Sequence, residues 1–178
     1  MILTDREIAI ALQCGQLIIN PSPEADSISS TSVDLKLSDH GLVWEIPGAM
    51  QIFPGRQNYK YSDYAKTFQK SKKITDVILG SRKFFLSWTK ENVELPVTSR
   101  LGARVEGRSS LARLGVGIHV TAPTIHAGFK GPIQLEIFNF GPFDIVLEPD
   151  MKICQLIVEQ TMGTPQTGYG GQFYGQGA

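Results

Sequence analysis

The sequence predicts an all-β fold, a sandwich or barrel of short strands preceded by one short N-terminal helix. Ser32–Leu37 (SVDLKL) alternates polar and apolar residues with the period of two that a half-buried strand requires. Six later segments are rich in β-branched and aromatic residues: RKFFLSWT, LGARVEG, GIHVTA, PIQLEIFNF, FDIVLE and KICQLIVEQ. Glycine or proline separates them, at Gly80, Pro96, Gly107, Gly117, Pro123, Gly128, Gly131, Gly141 and Pro149. Short strands with regular turn residues favour this architecture over a parallel α/β sheet.

The first element is predicted to be a helix with defined ends. Thr4 and Glu7 have the spacing of a capping box, in which each side chain accepts a hydrogen bond from the other residue's backbone N–H. The apolar residues that share one face of this helix are Ile8, Ala11 and Leu12. Gly15 follows at the position where the helix is expected to end.

Two segments do not follow the strand pattern. Residues 48–80 mix aromatic residues with lysines and show no sustained period, so we interpret them as a variable excursion from the barrel, partly helical near Tyr61–Phe68. Residues 163–178 are rich in glycine and carry Tyr169, Phe173 and Tyr174. We interpret this C-terminal segment as a lid over a ligand, and the alternative is a frayed terminus.

The composition is that of one globular domain over residues 1–178. Of the 178 residues, 42% are hydrophobic, and 17 basic residues balance 17 acidic ones. This balance gives no electrostatic reason to expect a nucleic acid or a membrane surface as a partner. The sequence has no apolar run of ~20 residues and no signal-peptide pattern at its start. Cys14 and Cys154 are isolated, so we expect unpaired thiols in a cytoplasmic protein.

The segment EGRSSLARLG is the strongest candidate for binding an anion. Gly107 allows a tight turn, and Arg108, Ser109 and Ser110 follow where a short helix would begin. Backbone N–H groups at a helix start, serine hydroxyls and a guanidinium group suit phosphate oxygens. Arg113 points in another direction on such a helix, so one arginine is available for phosphates and the other for a carboxylate. The alternative is a short solvated helical turn between strands.

Glu136 is the candidate for proton transfer. It lies in the apolar segment PIQLEIFNF, where Gln134 and Phe138 share its face and Leu135 and Ile137 point to the opposite face. A carboxylate that faces the interior is costly unless it is paired. Placed partly buried beside an arginine, Glu136 would suit general acid–base chemistry. The alternative is an outward, solvated glutamate.

Together these motifs resemble the dCTP deaminases, members of the trimeric dUTPase superfamily. The string GRSSLARLGVGIHVTAPTIHAGFKGPIQLEIFN resembles their signature region, and MILTDREI, SVDLKL, FFLSWTKENVELP and PDMKICQL resemble further blocks. The resemblance implies a distorted jelly-roll β-barrel of the dUTPase-like type, with a few small helices besides the N-terminal one. It also implies a homotrimer with active sites between subunits, and an enzyme that deaminates dCTP hydrolytically to dUTP and ammonia.

The resemblance implies a catalytic set without a metal. Glu136 would be the general acid–base, and Ser109, Arg113 and the backbone carbonyl of Ala122 would hold Glu136 and the attacking water. The sequence is consistent with this, since zinc deaminases need an H-x-E and a P-C-x-x-C element and it contains neither. A positioned carboxylate must then activate the water.

The resemblance also implies a nucleotide site. Its residues are Arg108, Ser109, Ser110, Leu111, Ala112, Arg113, His126, Gln134, Leu135, Glu136, Gln155, Tyr169 and Gln176. Arg108 and Ser110 would bind the triphosphate, whose Mg²⁺ arrives with the nucleotide, and the backbone of Gln134 would help to read the base. Tyr169 and Gln176 would close over the nucleotide from the tail.

Two positions depart from the family pattern. The turn that the family usually writes I-D-P-G-F reads I-H-A-G-F here, with His126 in place of an aspartate. Because a neutral imidazole offers one donor and one acceptor, sugar recognition is expected to differ. The resemblance also implies that the counterpart of this aspartate activates water in dUTPases, so a second dUTP-hydrolysing activity is disfavoured. In the tail, Gln172 replaces a phosphate-binding lysine. Lys130 and Lys152 are the candidates to replace the lost positive charge.

Two other functions stay open at the level of the sequence. The first is a pyrophosphohydrolase acting on dUTP or dCTP, alone or as part of a bifunctional deaminase, with His126 as a base. The second is a non-catalytic paralogue that binds nucleotides, for which His126 and Gln172 are the supporting departures.

Overall fold

The computed structural model describes residues 1–170 and shows a chain built mainly of strands, which confirms the predicted all-β class. The α-helices in this part of the chain are α1 (Asp5–Gln13), α2 (Tyr61–Phe68) and α3 (Ser109–Ala112), and short 3-10 helices lie at Ala25–Ser27, Ile74–Asp76 and Val97–Ser99. Its strands are β1 (Ile18–Asn20), β2 (Ile28–Ser29), β3 (Ser32–Trp44), β4 (Gln69–Lys73), β5 (Ile78–Leu79), β6 (Phe84–Glu94), β7 (Leu101–Gly107), β8 (Val116–Ile118), β9 (Thr124–Ile125), β10 (Lys130–Asn139), β11 (Ile145–Val146) and β12 (Lys152–Gln160). No helix within residues 1–170 is both long and apolar enough to span a membrane.

Most of the strands join one curled antiparallel sheet around the hydrophobic core. The strand order is β8-β10-β6-β3-β12-β7-β9, with β1 attached to β6, and both β2 and β4 attached to β3. β5 and β11 form a separate two-stranded sheet. On β10, Ile133, Leu135 and Ile137 are buried in the core. Because side chains alternate along a strand, Gln134 and Glu136 point away from that core.

The N-terminal helix forms as predicted. Thr4 is the N-cap of α1 and makes the capping box with Glu7. The apolar face packs into the core through Ile8 and Ala11, and Gly15 follows the helix with φ +67°. These signals are local in the sequence, which is why they predict the element correctly.

The segment 48–80 contributes more to the fold than the sequence indicates. The helix predicted over Tyr61–Phe68 is confirmed by α2. β3 includes the strand predicted at Ser32–Leu37 and continues beyond it as far as Trp44. β4 pairs with this second half of β3. Part of the excursion is therefore a strand of the main sheet.

Two other predicted strands are shorter than the sequence suggests. In GIHVTA, β8 ends at Ile118 because His119 and Ala122 adopt left-handed backbone conformations, with φ of +58° and +55°. In FDIVLE, only Ile145–Val146 pairs, with β5. The left-handed residues turn the chain toward the site described below.

The buried carboxyl of Glu91 gives a testable pH dependence. Glu91 is 5% exposed, and its Oε2 accepts a hydrogen bond of 2.9 Å from the Lys36 backbone N–H. Burial raises the pKa of this carboxyl above its ordinary value. The folded state therefore holds the proton more tightly than the unfolded chain, so the stabilisation is complete below the ordinary pKa and is lost as pH rises through the raised value.

We expect Glu91→Gln to gain stability relative to the wild type as pH rises from about 4 to about 7, because an amide has no proton to lose. Thermal unfolding of both proteins across this range measures the difference. The control is Glu148→Gln at an exposed position. Its stability relative to the wild type should not change across this pH range. Parallel curves for Glu91→Gln and the wild type would show that ionisation of Glu91 does not oppose folding.

Candidate active site

A cavity of about 430 Å³ lies on the side of the sheet to which Gln134 and Glu136 point. β10 pairs with β6 so that Gln134 lies opposite Trp88 and Glu136 lies opposite Leu86. Paired residues project from the same face, so the carboxylate stands beside an apolar surface. Glu136 is half-buried and lines the cavity. Of the two interpretations of Glu136, the structure therefore favours a sheltered carboxylate over a freely solvated one.

An aromatic wall closes one side of the cavity. Trp44 from β3 and Tyr61 from α2 both line it, with their rings edge to face and 6.1 Å between centroids. The Tyr61 hydroxyl accepts a hydrogen bond of 2.9 Å from the Gln69 side chain. Sequence reasoning missed this wall, because only the pairing of β3 with β4 brings α2 over the cavity.

The loop after β8 brings His119 and Ala122 to the same cavity. The His119 backbone N–H donates to the Glu136 carbonyl at 3.0 Å, which fixes the start of the loop on β10. The His119 ring then donates from Nε2 to the Ala122 carbonyl at 2.9 Å. Thr121 Oγ1 lies 3.4 Å from Glu136 Oε2 and donates to it. The left-handed turns of the loop thus place Ala122 on the lining of the cavity that also holds Glu136.

His119 is a further cavity residue that sequence reasoning did not single out. Since a carbonyl only accepts, the Nε2 of a neutral His119 ring carries the proton and Nδ1 is an acceptor. Nδ1 is buried, with no hydrogen-bond partner among the residues that the structure describes. The sequence holds no signal for this role, because it depends on the positive φ of His119.

The beginning of the tail is fastened to the rim of the cavity. The Tyr169 ring stacks on His126, with 5.7 Å between centroids and an interplanar angle of 10°. The Tyr169 backbone N–H donates to the Ala127 carbonyl at 2.9 Å. Gly128 permits this approach, since a Cβ there would lie 2.7 Å from Tyr169 N and 2.9 Å from the Gly168 Cα. His126 and Tyr169 both line the cavity, which places two of the predicted nucleotide residues there.

The predicted phosphate-binding segment forms α3 but lies outside this cavity. Arg108 is the N-cap of α3 and makes an ion pair with Asp34 on β3. The exposed residues of the segment EGRSSLARLG are Glu106, Ser109, Ser110, Ala112, Arg113 and Leu114. Leu111 is partly buried and packs on the core. Gln155 on β12 also lies by Asp34, to which its amide donates at 3.3 Å. Within one chain, the predicted site residues therefore form two groups. The first lines the cavity and consists of Ala122, His126, Gln134, Glu136 and Tyr169. The second lies by Asp34 and α3 and includes Arg108, Ser109, Ser110, Arg113 and Gln155.

Two of the predicted nucleotide residues belong to neither group by their side chains. Leu135 is 0% exposed with its side chain in the core, so a nucleotide has access only to its backbone. Gln176 lies outside the described residues, as do Gln172, Phe173 and Tyr174. Within residues 1–170, no group of three or more histidine, cysteine, aspartate or glutamate side chains is placed to hold a metal ion.

Comparison with known proteins identifies relatives along most of the chain. The family model described as dCTP deaminase-like matches residues 2–161. A protein of Methanobrevibacter smithii named "dCTP deaminase, dUMP-forming" is 37% identical over 167 residues, covering 92% of this chain and 82% of that protein.

Solved structures support the fold. The crystal structure of 2'-deoxycytidine 5'-triphosphate deaminase from Agrobacterium tumefaciens superposes with a TM-score of 0.65 at 21% identity over 88% of this chain. This chain spans about half of that longer protein, 47% of its length. A dUTPase of Staphylococcus bacteriophage 80alpha gives a TM-score of 0.51 at 13% identity, covering 90% of this chain and 98% of the phage protein. The predicted dUTPase-like fold is confirmed.

Proposed function

The chain belongs to the dCTP deaminase-like family, and from that premise we infer that it is an enzyme that hydrolyses the amino group from the cytosine of dCTP. The observation that carries the proposal is that Glu136 and Ala122 line one cavity. Sheltered from bulk water, a carboxylate is able to shuttle protons between a bound water and a substrate base. We assign residues 1–178 to one dUTPase-like domain of a cytoplasmic enzyme.

Glu136 carries out every proton transfer of the proposed reaction. Glu136 takes a proton from water as the water oxygen attacks C4 of the cytosine, and it delivers that proton to ring N3. It then takes the remaining proton of the attached hydroxyl as the C4–N bond breaks and passes it to the departing amino group, which leaves as ammonia. General acid–base catalysis supplies about 10²- to 10⁴-fold. The rest of the acceleration comes from positioning and from fixed dipoles such as the Ala122 carbonyl.

We propose that the two groups of site residues meet between subunits of a homotrimer. Ser109 and Arg113 are exposed on and beside α3 and do not line the cavity that holds Glu136. In the assembly, these two residues of one subunit would orient Glu136 and the water of its neighbour. Arg108 and Ser110 would hold the triphosphate together with its Mg²⁺, so the metal ion is part of the substrate.

The tail is proposed to close the site from the rim. The tail runs close to Gly128 at Gly168 and Tyr169. From there, Tyr169 and Gln176 would cover the nucleotide. We expect Gly128→Ala to raise the KM for dCTP about 10-fold or more, because the added Cβ separates Tyr169 from the rim and small displacements in an active site are costly. Steady-state kinetics measures this effect.

Gly163→Ala is the matched control, since a Cβ at Gly163 meets nothing within 4 Å. Its KM should equal that of the wild type. An unchanged KM in Gly128→Ala, with a normal melting temperature, would contradict a role of the tail in binding.

A second candidate is a bifunctional enzyme that also releases pyrophosphate and so forms dUMP. The name of the Methanobrevibacter smithii relative favours it. Its weakness in this chain is His126, which stacks on Tyr169 where the family pattern has an aspartate. We therefore propose dUTP as the main product.

Analysis of the products separates these functions. Purified protein with dCTP and Mg²⁺ should yield ammonia and dUTP in equal amounts. Ammonia with pyrophosphate and dUMP would establish the bifunctional enzyme, and pyrophosphate with dCMP would establish a pyrophosphohydrolase. Tight binding of dCTP without turnover would instead indicate a non-catalytic paralogue.

A further inference from the structure

Asp34 lies at the centre of the second group of site residues. Its side chain is 12% exposed and makes the ion pair with Arg108. Its Oδ1 accepts from the Gln155 amide at 3.3 Å, and its Oδ2 lies 3.9 Å from Lys152 Nζ. A carboxylate this sheltered needs partners, and Asp34 has three: Lys152 and Gln155 from β12, and Arg108 from the start of α3.

The strand register explains why these residues converge. β12 lies between β3 and β7, and Gln155 on β12 is the direct partner of Asp34 on β3. On its other side, β12 pairs Cys154 with Gly107, the last residue of β7. Arg108 follows immediately and turns its guanidinium back to Asp34. The contact is therefore set by the sheet and not by a flexible loop.

Asp34 also restricts which atoms its partners present. One nitrogen of the Arg108 fork, Nη1, makes the ion pair with Asp34, and this holds the guanidinium beside β3 while leaving other N–H donors for an anion. The Gln155 amide nitrogen donates to Asp34 and, at 3.2 Å, to the Ser32 hydroxyl. The amide oxygen of Gln155 is thereby turned away from Asp34. Asp34 therefore holds Arg108 by charge and Gln155 by a hydrogen bond before any ligand binds.

We propose that Asp34 is a positioning residue for the triphosphate of the substrate, acting through Arg108 and Gln155. This inference rests on the proposed function, in which Arg108 binds phosphates and Gln155 lines the nucleotide site. Lys152 offsets the charge of Asp34 and is itself held by the Asp26 side chain at 3.0 Å. With Asp26 included, two carboxylates balance Arg108 and Lys152, so what the group offers an anion is the set of Arg108 N–H donors that do not face Asp34.

The test is binding of dCTP and of dCMP, measured by calorimetry in a Glu136→Gln background that prevents turnover. Adding Asp34→Asn should weaken dCTP binding about 10- to 100-fold, the effect of losing one partner of a sheltered charge pair. Binding of dCMP should change far less, because it lacks the outer phosphates. Adding Asp34→Asn to Arg108→Ala should cause little further loss of dCTP affinity, since Asp34 acts through Arg108.

Asp26→Asn is the matched control, since it removes an acidic group from Lys152 without touching Arg108. It should bind dCTP as the parent does. Equal losses for dCTP and dCMP, or additive effects of Asp34→Asn and Arg108→Ala, would overturn the proposal, as would unchanged dCTP binding. If Asp34→Asn does not fold, Asp34→Glu replaces it, because this variant keeps the charge and displaces it by one methylene. The results expected for Asp34→Asn, and those that would overturn the proposal, then apply to Asp34→Glu. Failure of the wild type to deaminate dCTP would refute the proposed function separately.

Discussion

Replacing Glu136 by glutamine is expected to lower the rate of ammonia release from dCTP by about 10³-fold or more, with dCTP still bound. Glutamine keeps the shape of the side chain and its contact with Thr121, but it has no basic oxygen to take a proton from water. Every proton transfer in the proposed reaction uses this carboxylate. The loss should therefore appear in kcat, whereas the affinity for dCTP should change little.

Ammonia release at saturating dCTP measures the change in kcat, and calorimetry with dCTP measures binding. Glu148→Gln makes the same chemical change at an exposed site and should behave as the wild type. A Glu136→Gln enzyme that releases ammonia at the wild-type rate would remove Glu136 from the mechanism. Loss of dCTP binding in a folded variant would instead make Glu136 a binding residue.

Mixing two inactive variants is expected to restore activity. Glu136→Gln and Arg113→Ala each disable every site of a homotrimer in which one subunit supplies Glu136 and its neighbour supplies Arg113. In mixed trimers, a site is intact when the Arg113→Ala subunit supplies Glu136 and the Glu136→Gln subunit supplies Arg113. Random assembly from equal amounts leaves about a quarter of the sites intact. The structure motivates this, because Arg113 does not line the cavity of its own chain.

The experiment requires subunit exchange, so the two variants are refolded together and compared with the same variants refolded apart and then combined. Recovery of about a quarter of the wild-type activity is expected only after joint refolding. No recovery, with mixed oligomers demonstrated by tagged subunits, would place Glu136 and Arg113 in the same chain's site.

The sequence predicts those features that depend on neighbouring residues. The capping box of α1 and the apolar face formed by Ile8 and Ala11 both follow from spacing over a few positions. The alternation on β10 separates Leu135 from Glu136 because strands place successive residues on opposite faces. Such local rules hold whatever the rest of the chain does.

The features that sequence reasoning missed depend on distant pairing or on unusual backbone. Trp44 and Tyr61 share the cavity with Glu136 only because β4 joins the sheet beside β3. Asp34 meets Arg108 across strands far apart in the sequence. The strand prediction for GIHVTA was wrong beyond Ile118. The chain turns there because His119 has a positive φ, and a histidine, unlike a glycine, does not indicate a positive φ in the sequence.

The most direct test is to follow purified protein with dCTP and Mg²⁺ by the change in ultraviolet absorbance as cytosine becomes uracil, with ammonia assayed in the same samples. We expect the absorbance change and the ammonia to rise together, one ammonia for each uracil formed, and both to be absent with Glu136→Gln. A cytosine absorbance that stays constant while dCTP is bound or loses pyrophosphate would contradict deamination as the activity of this site.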